Sequence, residues 1–129
     1  MPNKEPFTFH AKLDRQALYL YYGGNLSYAC DMFGAFLEEG PDAADRLLRL
    51  LRACDRPGLV AALHKVQPCL AMVGLSPLAD RAAVIRDQLH ASQDLAGSVP
   101  AIRALIKDLQ AYLPLIRQEL TRMRQVLSN

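Results

Sequence analysis

The side chains with the greatest chemical reach in this 129-residue chain are three imidazoles, His10, His64 and His90, and three thiols, Cys30, Cys54 and Cys69. Their spacing contains no His-x-x-x-His, Glu-x-x-His or Cys-x-x-Cys pair, so the chain is expected to hold neither a zinc site nor a helix-borne metal pair, and no cofactor. An odd number of cysteines without a paired motif fits no disulfide framework, and the three are expected to behave as small apolar residues. An exposed imidazole is different. It is mostly neutral at cytosolic pH and can act as a nucleophile without a dedicated base. His64 has the neighbours that invite such a role, whereas His10 lies in the N-terminal segment and His90 reads as a surface residue near a helix C-terminus, favourable to the helix dipole. Tyr19, Tyr21, Tyr22 and Tyr28 are expected to pack the N-terminal segment over one end of the fold, since no basic patch accompanies them for stacking on nucleotides. No phosphate-cradling Gly-rich loop and no carboxylate cluster is present, so no ATP site is expected.

The elements that must position His64 are helices. The chain has one domain's length, is 51% hydrophobic and 22% charged, lacks Trp, and is filled with Leu, Ala, Arg and Gln. A formal charge of +2, evenly scattered, argues against nucleic acid as a partner. No apolar run approaches the roughly 20 residues of a membrane span, and MPNKEPFTFH lacks the apolar core of a secretory signal, so a cytoplasmic protein is expected. A short amphipathic segment around Leu13, Ala17 and Leu20 precedes a GGN break in which Asn25 can cap the next helix. A stripe then runs through Leu26, Cys30, Phe33, Leu37, Gly40, Ala44, Leu47, Leu51 and Cys54. Its phase survives Gly40-Pro41, which favours one long helix bent at Pro41 over two helices with a tight break.

Asp55 and Pro57 then open a third helix with the stripe Leu59, Leu63, Val66, Leu70 and Val73, closed by Gly74. Ser76-Pro77 opens a fourth, with Leu78, Ala82, Ile85 and Leu89 inward. The last helix places Ile102, Ile106, Leu109, Leu113, Ile116, Leu120, Met123 and Leu127 on one stripe, with Pro114 beside it. Single stripes joined by short connections imply an all-α fold, an antiparallel four-helix bundle with a short extra N-terminal helix. The helices are expected at about 11–21, 25–54, 57–73, 77–91 and 98–127.

With the third stripe facing inward, His64 points about 140° from the core at 100° per residue. Its face also carries Ala61, Lys65, Pro68, Ala71 and Met72, a small and apolar set for a helix surface. Two readings stand: a docking face that a partner must approach closely, or a surface histidine on an alanine-rich helix by chance.

Residues 14–90 favour the first by resemblance. Phe33-Gly34-Ala35-Phe36-Leu37-Glu38-Glu39-Gly40-Pro41, then Leu47-Leu48-Arg49-Leu50-Leu51 and Asp55, then Ala62-Leu63-His64-Lys65-Val66-Gln67-Pro68, then Gly74 and Leu78 resemble, in order and separation, the histidine-containing phosphotransfer (HPt) domain of bacterial phosphorelays. The resemblance implies that His64 is a phosphoacceptor. It takes a phosphoryl group in line from an aspartyl-phosphate on a response-regulator receiver domain and passes it to another receiver, with a hybrid sensor kinase upstream. Ala61, Pro68, Ala71 and Met72 would form the receiver docking face, and the divalent metal would be the receiver's.

Two positions depart from the family pattern. Where the family carries Lys three residues after the histidine, Gln67 stands here, a hydrogen-bond donor without charge. Where it carries Gly, Pro68 stands, which deletes the amide that would bond the His64 carbonyl and can bend the helix either to spoil or to improve the presentation of the ring. Lys65 lies about 100° around the helix from His64 and reaches the phosphoryl position only in part. These departures keep an alternative open, a degenerate adaptor that binds a kinase or receiver without carrying phosphate. Arg103, Lys107, Arg117 and Arg124 on the last helix read as a solvated face, with docking of an acidic receiver as the sharper reading. A monomer is expected and, from the opening Met1, a complete small protein.

Overall fold

The computed structural model describes residues 7–92 and 94–129, so the first six residues of MPNKEPFTFH and Gln93 lie outside the described residues. Among the described residues there are five α-helices and no strand: α1 (Arg15–Tyr22), α2 (Leu26–Arg52), α3 (Arg56–Met72), α4 (Ser76–Ala91) and α5 (Val99–Ser128), the last preceded by a single 3-10 turn, Ala96–Ser98. Helices α2 to α5 form an antiparallel four-helix bundle in which each helix packs on its two ring neighbours, α2 on α3 and α5, α4 on α3 and α5. Helix α1 lies across the ends of α2 and α3.

Each start has a local cause. The side chains of Asp14, Asn25 and Asp55 accept hydrogen bonds from the amides of Ala17, Tyr28 and Gly58, satisfying donors that the first turn leaves free. Prolines at the second positions of α3, α4 and α5 use the same vacancy, since amides of the first turn have no helical partner. Two ends are Schellman motifs. After α3, Gly74 adopts φ 79°, its amide bonding the Ala71 carbonyl and that of Leu75 the Leu70 carbonyl. After α2 the same pair of bonds runs from Cys54 to Leu51 and from Asp55 to Leu50.

That second end corrects an expectation. Cys54 is exposed with φ 53° because it occupies the left-handed position of the cap, not a place on the buried stripe. Cys30 and Cys69 are half-buried. Two further corrections concern the chain ends. Helix α1 begins at Arg15, not near residue 11, because Leu13 first closes a turn on the His10 carbonyl and Asp14 then caps the helix. Its buried face is Leu18 and Tyr22, so Leu20 lies outward, 80% exposed. At the other end Leu127, on the last turn of α5, is 48% exposed because the bundle stops short of it.

The rest of the core follows the stripes. Leu59, Leu63, Val66, Leu70 and Val73 are buried, as are Leu78, Ala82, Ile85 and Leu89, and Phe33, Ala44, Leu47 and Leu51. Helix α2 runs unbroken through Pro41. Gly40 lets α2 and α5 approach, a Cβ there meeting Leu113 Cδ2 at 3.1 Å. The segment before α1 is a strap: Phe9 is buried and stacks on Phe33, and the His10 amide donates to the carboxylate of Glu119, itself 1% exposed on α5. Arg122 pairs with Glu119, donates to the Thr8 carbonyl and lies over the Phe7 ring.

Two outcomes test this account. Gly74→Ala forces a positive φ and brings a Cβ to 2.9 Å from Leu18 Cδ1 and 3.0 Å from Leu13 Cβ. It is expected to lower stability by about 1–3 kcal/mol, read as a lower urea midpoint at unchanged m-value. The Tyr22 phenol, which donates to the Met72 carbonyl, is pushed up to about 12 from 10.0, by burial first and then by Tyr28 and Tyr21. A raised phenol favours the neutral form in the folded chain. Its share of stability is therefore full below pH 10 and falls away as pH rises from 10 towards 12. Alkaline unfolding of Tyr22→Phe is expected to lack that step, read by denaturant titration across the same window.

Candidate functional site

His64 sits near the middle of α3, one residue past the buried Leu63 and two before the buried Val66, so its ring leaves the helix on the solvent side and is exposed. It borders an open recess between α3, α4 and the end of α1, shared with Gln67, Pro68 and Ala71 of α3, Ala79 and Asp80 of α4, and Tyr21 of α1. Small side chains make this ground shallow. Ala79 is buried, Gln67 and Ala71 are half-buried, and Pro68 is exposed.

The structure brings Gln67 and Pro68 to His64 and places Lys65 elsewhere. The exposed Lys65 lines the opposite recess, between α3 and α2, together with Glu39 and Arg46. Ala61 is exposed. Met72 is half-buried, because α1 crosses this end of α3 and Tyr22 donates to the Met72 carbonyl. Pro68 is accommodated within a continuous α3, and its missing amide leaves the His64 carbonyl without its usual helical partner. The Asp14 carboxyl, which accepts from the Ala17 amide at the start of α1, is held below the usual carboxylate range by the Ser76 hydroxyl first and that amide second.

Sequence reasoning did not single out Arg86. This α4 side chain, 22% exposed, places Nη1 3.0 Å from His64 Nδ1 and donates from the same nitrogen to Gln67 Oε1 at 2.9 Å. Its Nε lies 3.6 Å from Asp87 Oδ1, a carboxylate 73% exposed. Gln67 thus brings no charge of its own but orients a cation supplied by the neighbouring helix. The available signal was spacing: Arg86 follows Ala79 by seven positions, two helical turns, on the α4 face that meets α3.

His90 is exposed in the last turn of α4, about one turn beyond Arg86. The His10 ring accepts from the Lys12 amide within the strap. Of the tyrosines, Tyr22 is buried while Tyr19, Tyr21 and Tyr28 keep 39–47% of their surface exposed, so the cluster covers the end of the bundle only in part. Among the described residues no three His, Cys, Asp or Glu side chains are grouped as a metal ion would need, and no helix is long and apolar enough to cross a membrane.

The geometry is that of a solvent-facing imidazole on a bundle helix with a guanidinium and a carboxamide beside it. Comparison with curated proteins and with solved structures gives no match. A protein-family model, the Hpt domain, matches residues 31–126. The match starts later than the resemblance read from the motifs around His64 and continues through α5, the helix that closes the bundle. Spanning most of the chain and all four bundle helices in whole or large part, it shows that the chain belongs to the Hpt domain family, whose general function is histidine phosphotransfer in two-component phosphorelays, with receiver and kinase domains as partners.

Proposed function

We propose that this chain is a phosphorelay intermediate that accepts a phosphoryl group on His64 from the aspartyl-phosphate of one receiver domain and passes it to another response regulator, with a hybrid sensor kinase upstream. The supporting observation is the ring of His64, exposed on α3 at the edge of a shallow recess and contacted by Arg86. Nδ1 is engaged by the guanidinium, so the bond to phosphorus forms at Nε2, once that nitrogen carries no proton. Attack is in line, and catalysis is mainly a matter of positioning and charge. Ala61, Pro68, Ala71 and Met72 form the docking face with the recess beside them, and their small or apolar side chains let the receiver approach while water is excluded. The receiver contributes the divalent metal. This chain contributes the acceptor ring and, beside it, the Gln67 carboxamide that holds the Arg86 guanidinium, while Lys65 lies on the α2 side. It acts as a carrier without an ATP site, in the cytoplasm and as a monomer.

A second reading, an adaptor that binds a receiver or kinase without carrying phosphate, is favoured by Gln67 and Pro68, which stand where the family has Lys and Gly. Incubation with an acetyl-phosphate-charged receiver, or with a hybrid kinase and ATP, separates the two. Acid-labile label is expected on the wild type and a fall to background in His64→Gln. Absence of label from the wild type across several competent donors defeats the carrier reading, and label retained by His64→Gln removes His64 as the acceptor.

A further inference from the structure

We infer that Arg86 is a positioning residue that holds His64 in the tautomer with its proton on Nε2, so that the free protein keeps its acceptor ring unreactive until the guanidinium is drawn off Nδ1. Arginine carries donors only and stays charged throughout the accessible pH range. Its Nη1 lies 3.0 Å from Nδ1, and that contact is a hydrogen bond only when Nδ1 offers a lone pair. In a neutral imidazole the proton is then on Nε2, and a protonated Nε2 has no in-plane lone pair with which to attack phosphorus. The arrangement is anchored. The other Nη1 proton goes to Gln67 Oε1 at 2.9 Å, Asp87 draws on Nε from the far side, and only 22% of the arginine side chain is exposed.

Loading therefore requires the ring to take up the Nδ1–H tautomer, which the guanidinium opposes as a donor facing a donor. Once Arg86 has moved, the Nε2 lone pair forms the N–P bond. The bond from phosphorus to its leaving group breaks, and its electron pair departs on the carboxylate oxygen of an aspartyl-phosphate or on the ammonia of phosphoramidate. Nδ1 then releases its proton to water. The phosphorylated ring has a free lone pair on Nδ1 again and can take back the Arg86 hydrogen bond. The same contact that withholds the empty ring thus suits the loaded one. The phosphoryl group, an anion arriving beside a cation, is the natural agent to draw the guanidinium away.

The hydrogen bond stands on the structure alone, while its consequence for loading rests on the phosphotransfer reading, and the test separates them. Arg86→Gln supplies a carbonyl that can accept from Nδ1–H, Arg86→Lys keeps a charged donor, and Arg86→Ala removes the donor without adding an acceptor. Imidazole nitrogen-15 NMR of the unphosphorylated proteins is expected to show Nε2–H in the wild type and Arg86→Lys and a shift towards Nδ1–H in Arg86→Gln, with Arg86→Ala between them. Loading from phosphoramidate is expected to be about tenfold faster in Arg86→Gln than in the wild type, the equivalent of 1.4 kcal/mol, and slower in Arg86→Lys than in Arg86→Gln. An identical tautomer in wild type and Arg86→Gln overturns the proposal, as does loading that is slower or no faster in Arg86→Gln. If no variant takes up label from any donor, the phosphotransfer reading fails, and the NMR comparison still decides what Arg86 does to the ring. Should Arg86→Gln fold poorly, Arg86→Ala against Arg86→Lys reads the same shift.

Discussion

The rotation of α3 about its own axis is pinned by Leu59, Leu63, Val66, Leu70 and Val73, all buried between the neighbouring helices. Turning the helix far enough to expose one of them forfeits about 1.5–3 kcal/mol for that side chain, and a rigid helix cannot expose one without moving the rest. His64 has no freedom of its own in this arrangement. It must emerge on the side where α3 borders α4, and Gln67 and Pro68, within the next turn or so, must accompany it. The chemistry at the surface is therefore set by the apolar side of the same helix.

The stripes that built the core were open to sequence reading because burial repeats at helical spacing and each stripe kept one phase. The caps at Asn25 and Asp55 and the turn at Gly74 were equally legible, since their residue types have few other reasons to sit there. Other features left no such trace. Cys54 takes a left-handed conformation normally given to glycine, and the identity of the residue offers no hint of it. Leu20 looked like part of an amphipathic face, but the phase of so short a helix depends on where its cap lies, and the turn at His10 moved that point. Glu119 interrupts nothing in the α5 stripe, and its burial follows from the strap that covers it.

Arg86 escaped for a different reason. Arg81 and Arg86 flank the same α4 stripe and are five positions apart, about 140° around the helix, so they look towards different neighbours. Arg81 meets Asp108 on α5 at 2.7 Å, a half-exposed ion pair of the kind that adds little to stability. Arg86 meets α3. From α4 alone the two arginines are equivalent, and only the packing order of the helices tells them apart. In the family pattern the cation and the histidine share one helix, which fixes their separation through the backbone. Here the cation comes from the next helix, and its placement depends on how well α3 and α4 seat against each other and on the carboxamide of Gln67.

The strap across α5 bears on the order in which the molecule assembles. Its amide at His10 and the carboxylate at Glu119 stand 109 positions apart, so this clasp closes a loop of nearly the entire polypeptide. Contacts between sequence neighbours, such as those joining α3 to α4, form at far smaller entropic cost and come earlier. On a ribosome the clasp has to wait until α5 has been made. The opening segment is thus translated first and fastened to α5 late.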